Sequence, residues 1–499
     1  MKDNTKNNQL RGIYDDVMLP NYSPAHFIPE KAEGSRIWDK DNKEYIDFGG
    51  GIAVNSLGHS HPALISALTE QSKKFWHVSN YLTNEPAINL AKKLTDLTFA
   101  ENIFFSNSGT EANEAAIKIA RKFHSANGQK RGEIVSFKNS FHGRSLLNIS
   151  LGSSDMHREG FEPLMSGIKH GNFNDVAGLG DLITDQTAAV IVEPVQGEAG
   201  VYTSSKEFIK KLREESSKKG ALLIIDEVQS GVGRTGNLYS YMDYDIEPDI
   251  VTSAKGLGGG IPIGATLTTK SIGQNMQPGT HGSTFGGNPM ACAVANEVID
   301  IISNQKFLDG VKEKESIFLN LLSEFKVNKV FSAVRSSGLW IGCDLIERSV
   351  NDVLNQAYGE GLILVSAGSN CLRLAPALNI SNEEIEQGIK ILKKIIKINN
   401  DNQSYDNPVN ILQWSDLVKS QETQNYNFED EIKSIKRIDT ACIIYTSGTG
   451  GNPKGVMLSH GAMLSNCTGA QVLLKNLLEG MDEIKFLSWL PLSPSYEHT

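Results

Sequence analysis

From about Ile37 to Ile398, short β-branched runs alternate with longer stretches whose apolar residues recur at helical spacing. That alternation is the signature of a layered α/β fold around a mainly parallel sheet. Candidate strands lie at 103–105, 133–137, 188–192, 221–225 and 249–252. Most are continuous apolar runs, which suits strands covered on both faces. Helical spacing fills 112–123 and 207–218, each between two candidate strands, as a crossover requires. At 499 residues the chain exceeds what one core supports, so more than one lobe is expected.

Composition narrows the partners. A net charge of −10 with no clustered Lys/Arg excess argues against nucleic acid and leaves small molecules as the expected ligands. Cys292, Cys343, Cys371, Cys442 and Cys467 form no CxxC pair, which fits neither a disulfide framework nor a zinc site, so reduced thiols and no metal are expected. The first eleven residues lack an apolar core and no apolar run approaches the length of a membrane span, so the expectation is a cytoplasmic protein without a membrane partner.

The run at 221–225 delivers Asp226 to the C-terminal end of its strand, where open α/β sheets gather ligand-binding groups. A second buried run, from Pro248, ends on Ser253-Ala-Lys255 and passes at once into Gly256-Leu-Gly-Gly-Gly260. Taken singly, a strand-end aspartate also serves as a turn or cap residue, and a lysine before glycines is usually solvated. Together they supply what carbanion chemistry on an amino acid demands of pyridoxal 5'-phosphate, a lysine for the aldehyde and an anion for the ring nitrogen. Gly231-Val-Gly-Arg-Thr-Gly236 satisfies GxGxxG, but residues 226–230 separate it from the strand, which argues against a dinucleotide site.

Ile225-Asp-Glu-Val-Gln-Ser-Gly-Val-Gly-Arg-Thr-Gly236 followed by Ser253-Ala-Lys-Gly-Leu-Gly-Gly-Gly-Ile-Pro-Ile-Gly264 resembles the class III aminotransferases of fold type I. The resemblance implies a large, mainly parallel seven-stranded-type sheet domain over 61–300. It also implies a smaller α+β domain over 301–398, to which residues 1–60 contribute. Lys255 would be the Schiff-base lysine and Asp226 the partner of the ring nitrogen. Ser106-Asn-Ser-Gly-Thr-Glu-Ala-Asn-Glu114 opens a helix, where free N–H groups suit an anion. An ordinary N-cap is the plain alternative, whereas the resemblance gives Ser108, Gly109 and Thr110 to the cofactor phosphate. In Ser140-Phe-His-Gly-Arg-Ser145, Phe141 would stack on the ring and Arg144 would bind a substrate carboxylate; core packing and a surface ion pair are the alternatives. Val228 would cover the opposite ring face and Gln229 would bond the phenolic oxygen. Gly279-Thr-His-Gly-Ser-Thr-Phe-Gly-Gly-Asn-Pro289 resembles the segment that crosses to a neighbouring subunit's phosphate. Thr284 would be the ligand there and Ser283 would lie near substrate, which implies a homodimer with shared sites.

On the substrate side, planar arginine suits carboxylates. The resemblance makes Arg373, in Cys371-Leu-Arg-Leu-Ala-Pro376, the second carboxylate-binding arginine. It makes Glu198, in Glu193-Pro-Val-Gln-Gly-Glu-Ala-Gly200, the glutamate that pairs with Arg373 when the donor lacks a second acid. Leu19-Pro-Asn-Tyr-Ser-Pro-Ala-His-Phe-Ile-Pro29, the stretch from Gly50 to His59, and His77-Val-Ser-Asn-Tyr-Leu-Thr-Asn-Glu-Pro86 are similar to the N-acetylornithine-using subgroup. The implied reaction passes the terminal amine of N-acetylornithine to 2-oxoglutarate, giving glutamate, with ping-pong kinetics. Related donors are succinylornithine, succinyldiaminopimelate, ornithine and 4-aminobutyrate.

After the lysine-rich helix at 383–398 the chain turns polar and Asn-rich over 399–408, which reads as a linker. Beyond it, Ile443-Ile-Tyr-Thr-Ser-Gly-Thr-Gly-Gly-Asn-Pro-Lys-Gly-Val456 lacks the Walker spacing. With Leu487-Ser-Trp-Leu-Pro-Leu-Ser493 it resembles the phosphate loop of AMP-forming long-chain acyl-CoA synthetases. Thr446, Ser447, Gly448, Thr449 and Lys454 would be a vestigial ATP-phosphate loop. The resemblance covers only 409–499, an incomplete adenylate-forming fragment. An inert tail, a residual acyl-adenylating activity and a nucleotide- or partner-binding module are the alternatives.

Overall fold

The structure is a computed structural model, and it describes residues 6–327, 329–397, 440–446 and 454–459. The chain divides into two units, residues 1–12 with 25–403, and residues 13–24 with 404–499.

The first unit is built on a seven-stranded sheet. Its strands are β1 (Asn102–Ser106), β2 (Glu133–Phe137), β3 (Ile168–Gly171), β4 (Thr187–Val192), β5 (Leu222–Asp226), β6 (Ile250–Ser253) and β7 (Gly264–Thr268). The spatial order is β1-β7-β6-β5-β4-β2-β3. All pairings are parallel except those of β7, which runs antiparallel to both β6 and β1. The five expected strands are present with ends shifted by a residue or so. The expected helices appear as α1 (Gly109–Ala126), α2 (Lys206–Lys219) and α3 (Asn382–Lys397).

Two strands escaped the sequence reading. β3, Ile-Lys-His-Gly, is an edge strand with one apolar side chain. β7, Gly-Ala-Thr-Leu-Thr, is fully buried despite its threonines, because Thr266 Oγ1 donates to the Ala112 carbonyl and Thr268 Oγ1 to the Asp249 carbonyl, both at 2.9 Å. Hydroxyls satisfied by backbone need no water. The 231–236 glycine run folds as turns and opens no helix, so the dinucleotide reading has no footing.

Two smaller sheets flank this layer. One joins strands Pro29–Glu33, Arg36–Asp39 and Glu44–Asp47 to Leu362–Ile363, which pairs in parallel with Glu44–Asp47. The other orders Phe331–Ser336, Ile341–Leu345, Cys371–Leu374 and Val365–Ala367. Arg234, 2% exposed, fastens that second sheet to the loop after β5: its Nη1 donates to the carbonyls of Leu339 and Pro376, each at 2.7 Å. Among the described residues no helix is long and apolar enough to cross a membrane. Cys292, Cys343 and Cys371 are free and buried.

In the second unit, Thr440–Thr446 pairs antiparallel with Lys454–Ser459, with Thr446 opposite Lys454. Ser447, Gly448 and Thr449 lie outside the described residues, as does the expected linker at 399–408.

The central strand β5 should be the least forgiving element. Ile225, fully buried, is expected on truncation to alanine to lose about 2–5 kcal/mol, read as a lower urea midpoint at unchanged m-value.

Candidate active site

The C-terminal ends of β4, β5 and β6 open into one cavity of about 280 Å³. Register fixes what arrives there. Val192 pairs with Ile225, and Asp226 with Thr252, so Glu193, Asp226 and Lys255 leave three adjacent strands at the same edge. Ser108, Gly109, Thr110, Phe141, His142, Val228 and Gln229 are among the other lining residues.

Asp226 is 4% exposed and fully engaged. Its Oδ2 accepts from Asn113 Nδ2 at 2.8 Å and His142 Nδ1 at 2.7 Å, and its Oδ1 from the Val228 N–H at 3.0 Å. Asn113 is itself fixed, donating to the His142 carbonyl and accepting from Thr252 Oγ1, both at 2.8 Å. Neither Asn113 nor His142 was singled out from sequence. Both sit inside the motifs at 106–114 and 140–145, and only the fold brings them to the carboxylate.

Lys255 opens a short 3₁₀ turn, Lys255–Gly258, with φ at +44°. That left-handed conformation is rare for a residue with a side chain and persists only where packing enforces it. Burial pulls its pKa down to about 8, against the opposing pull of Glu198. Glu193, 5% exposed, accepts the Phe141 N–H at 2.9 Å. Burial first and Asp226 second raise its pKa well above the usual carboxylate range. It too was overlooked, because in sequence it is one more strand-end acid.

α1 begins at Gly109 with Ser108 as N-cap, its Oγ accepting the Glu111 N–H at 3.2 Å. The first-turn N–H groups of Gly109 and Thr110 have no intrahelical acceptor. A Cβ on Gly109 would overlap Val228 Cγ1, and one on Gly143, at φ +129°, would overlap Thr110 Oγ1. These two glycines let the three loops close on one another.

Arg373 and Glu198 do not line this cavity; Arg373, 3% exposed, donates from Nη1 to Glu198 Oε1 at 2.6 Å. Burial works to raise the Glu198 pKa, yet Arg373 and Lys255 together bring it below the usual range. Arg144 is exposed, with its guanidinium carbon 5.4 Å from the Phe141 ring centre, and has no carboxylate partner among the described residues. Ser283 Oγ accepts from Asn107 Nδ2 at 3.0 Å, one residue from the helix cap. Thr284 is exposed and does not line the cavity.

The residues fit the cofactor that the resemblance implies. An amine, a strand-end carboxylate and the N-terminal turn of a helix line one cavity together with Phe141 and Val228. Gln229 Nε2 is buried there with no partner, a donor awaiting an acceptor.

Comparison with known proteins agrees. The family described as Aminotransferase class-III matches residues 17–396, and the AMP-binding enzyme family matches residues 362–499. The succinylornithine transaminase of Salmonella typhimurium (strain LT2) is 52% identical over 384 residues, covering 76% of this chain and 94% of that protein. Among solved structures, the N-acetylornithine aminotransferase from Stenotrophomonas maltophilia K279a is 35% identical with a TM-score of 0.68, covering 78% of this chain and 99% of that one. The ornithine aminotransferase from Toxoplasma gondii ME49 is 27% identical with a TM-score of 0.77, covering 80% and 97%. With the lysine, the carboxylate and the start of α1 lining one cavity, the chain belongs to the class-III aminotransferases, which work with pyridoxal 5'-phosphate.

Proposed function

We propose that this chain transfers the terminal amino group of an N-acylated ornithine, N-acetylornithine first, to 2-oxoglutarate, giving the N-acylated semialdehyde and glutamate. The observation that carries the reading is the 2.6 Å pair of Glu198 and Arg373 beside Lys255. Paired, Arg373 offers no free charge, so a donor with one carboxylate turns to Arg144. A diacid such as 2-oxoglutarate can instead claim Arg373 from Glu198. N-succinylornithine is the second reading, favoured by the 52% identity to a protein named for it.

Pyridoxal 5'-phosphate supplies the electron sink that lets the amine-bearing carbon lose a proton. Lys255 would hold it and then serve as the base at that carbon, its buried amine partly unprotonated near neutrality. Asp226, oriented by three N–H donors, would face the ring nitrogen. Ser108, Gly109 and Thr110 would hold the phosphate, Phe141 and Val228 would flank the ring, and Gln229 would donate to its phenolic oxygen. We also infer a homodimer: Thr284, exposed and outside its own cavity, would reach the neighbouring subunit's phosphate while Ser283 stays near substrate. Residues 409–499 are given no catalytic role.

Three measurements test this. Bleaching of the bound-cofactor absorbance by a donor panel should be fastest with N-acetylornithine or N-succinylornithine; faster bleaching by 4-aminobutyrate or ornithine would refute the acyl-donor reading. Glu198→Ala should slow the donor half-reaction by about tenfold while sparing the glutamate half-reaction; equal effects on both, or none, would sink the exchange at Arg373. For Lys255, capture of the cofactor by the apo protein needs the free amine, so its rate should climb with pH and level off above about 8. Lys255→Ala should abolish that pH dependence and lower kcat by about a thousandfold or more, and substantial residual turnover would overturn the assignment.

A further inference from the structure

Two carboxylates from neighbouring strands line the cavity. In-register pairing of β4 and β5 sets Val192 opposite Ile225, so the residues that follow, Glu193 and Asp226, leave the sheet together and both line the cavity. Their surroundings are unequal. Asp226 collects three N–H donors, from Asn113, His142 and Val228. Glu193 receives one, the Phe141 N–H at 2.9 Å, all of it on Oε2.

Adjacent carboxylates away from water do not both stay charged, and the proton settles on the one with fewer donors. The charged groups facing Glu193 are Asp226 and Glu198, which disfavour its ionisation, and Lys255, which favours it. Arg373 and Arg144 face Glu198 and favour its ionisation. Burial adds to the acidic side and outweighs Lys255 and the single N–H.

We infer that Glu193 works as a neutral carboxylic acid, a positioning residue that accepts the Phe141 N–H on Oε2 and carries its proton on Oε1, leaving Asp226 as the negative charge of the pair. An ionised Glu193 would put a second anion beside Asp226 and compete with it for any cation in the cavity. A neutral one fixes the Phe141 loop without adding charge. The part concerning Phe141 rests on the cavity being the cofactor site; the protonation state does not.

The first test therefore uses the full-length apo chain and no substrate. A carboxyl whose folded pKa is raised binds more protons in the native than in the unfolded state between the two pKa values. Its burial then costs stability increasingly as pH rises from about 4.5. Glu193→Gln removes that dependence. Melting temperatures of wild type and E193Q should nearly coincide at about pH 5 and separate towards about pH 8, with E193Q the more stable. Glu227, another buried acid with its pKa raised to about 7 by burial, contributes equally to both proteins. An E193Q that is less stable than wild type by a margin widening towards alkaline pH, or that does not fold, would overturn the inference, since an amide can replace an acid here but not a carboxylate.

The second test compares two variants in cofactor affinity. Glu193→Ala removes the Phe141 acceptor and should bind pyridoxal 5'-phosphate about tenfold more weakly than E193Q; equal affinities would overturn the positioning role. Failure of wild type to transaminate N-acylornithines would refute the proposed reaction while leaving the melting result standing.

Discussion

Parallel pairing of β4, β5 and β6 is the constraint from which the active site follows. Hydrogen-bonded register allows no sliding by fractions of a residue, so once Val192 lies against Ile225 and Asp226 against Thr252, three titratable side chains emerge along one edge. Their different environments then divide the work. Asp226 is gripped by N–H donors, Glu193 is nearly bare of them, and Lys255 is half-buried with no direct counter-ion among the described residues. Parallel strands thus deliver two carboxyl groups and an amine, each in a different environment, to a single cavity.

The Glu198–Arg373 pair has a different origin. Arg373 belongs to the sheet of residues 331–374, and that sheet is held to the cavity by Arg234 through two backbone carbonyls. A buried guanidinium that bonds only carbonyls adds direction without neutralisation. The Glu198–Arg373 pair therefore joins two elements, the turn Gly197–Gly200 and the strand Cys371–Leu374.

Much of this was legible in the sequence, and the exceptions have physical causes. Continuous apolar runs announce strands buried on both faces, hence β2, β4, β5 and β6. The same criterion is blind to β7, whose threonines are buried because the backbone satisfies them, and to β3, which as an edge strand needs little apolar surface. Lys255, Asp226 and Gly109 carry signals because glycine spacing and strand ends are local. The supports of Asp226 were not legible: Asn113 lies on a helix and His142 in a loop, and their convergence depends on how far each element travels before turning back. Glu193 carried only the strand-end position that it shares with Asp226, since its character comes from the neighbour that register assigns to it.

The sheet that pairs Glu44–Asp47 with Leu362–Ile363 bears on how the chain is made. On a ribosome adding about 5–20 residues per second, the N-terminal strands emerge well before their last partner, leaving the Glu44–Asp47 edge unpaired for on the order of tens of seconds. An open strand edge is a template for association with other chains. The same N-terminal region also reaches the cavity, where Val54 lines the wall and Ser56 Oγ donates to the Gly256 carbonyl at 3.1 Å, so a delay in closing this sheet delays the site as well.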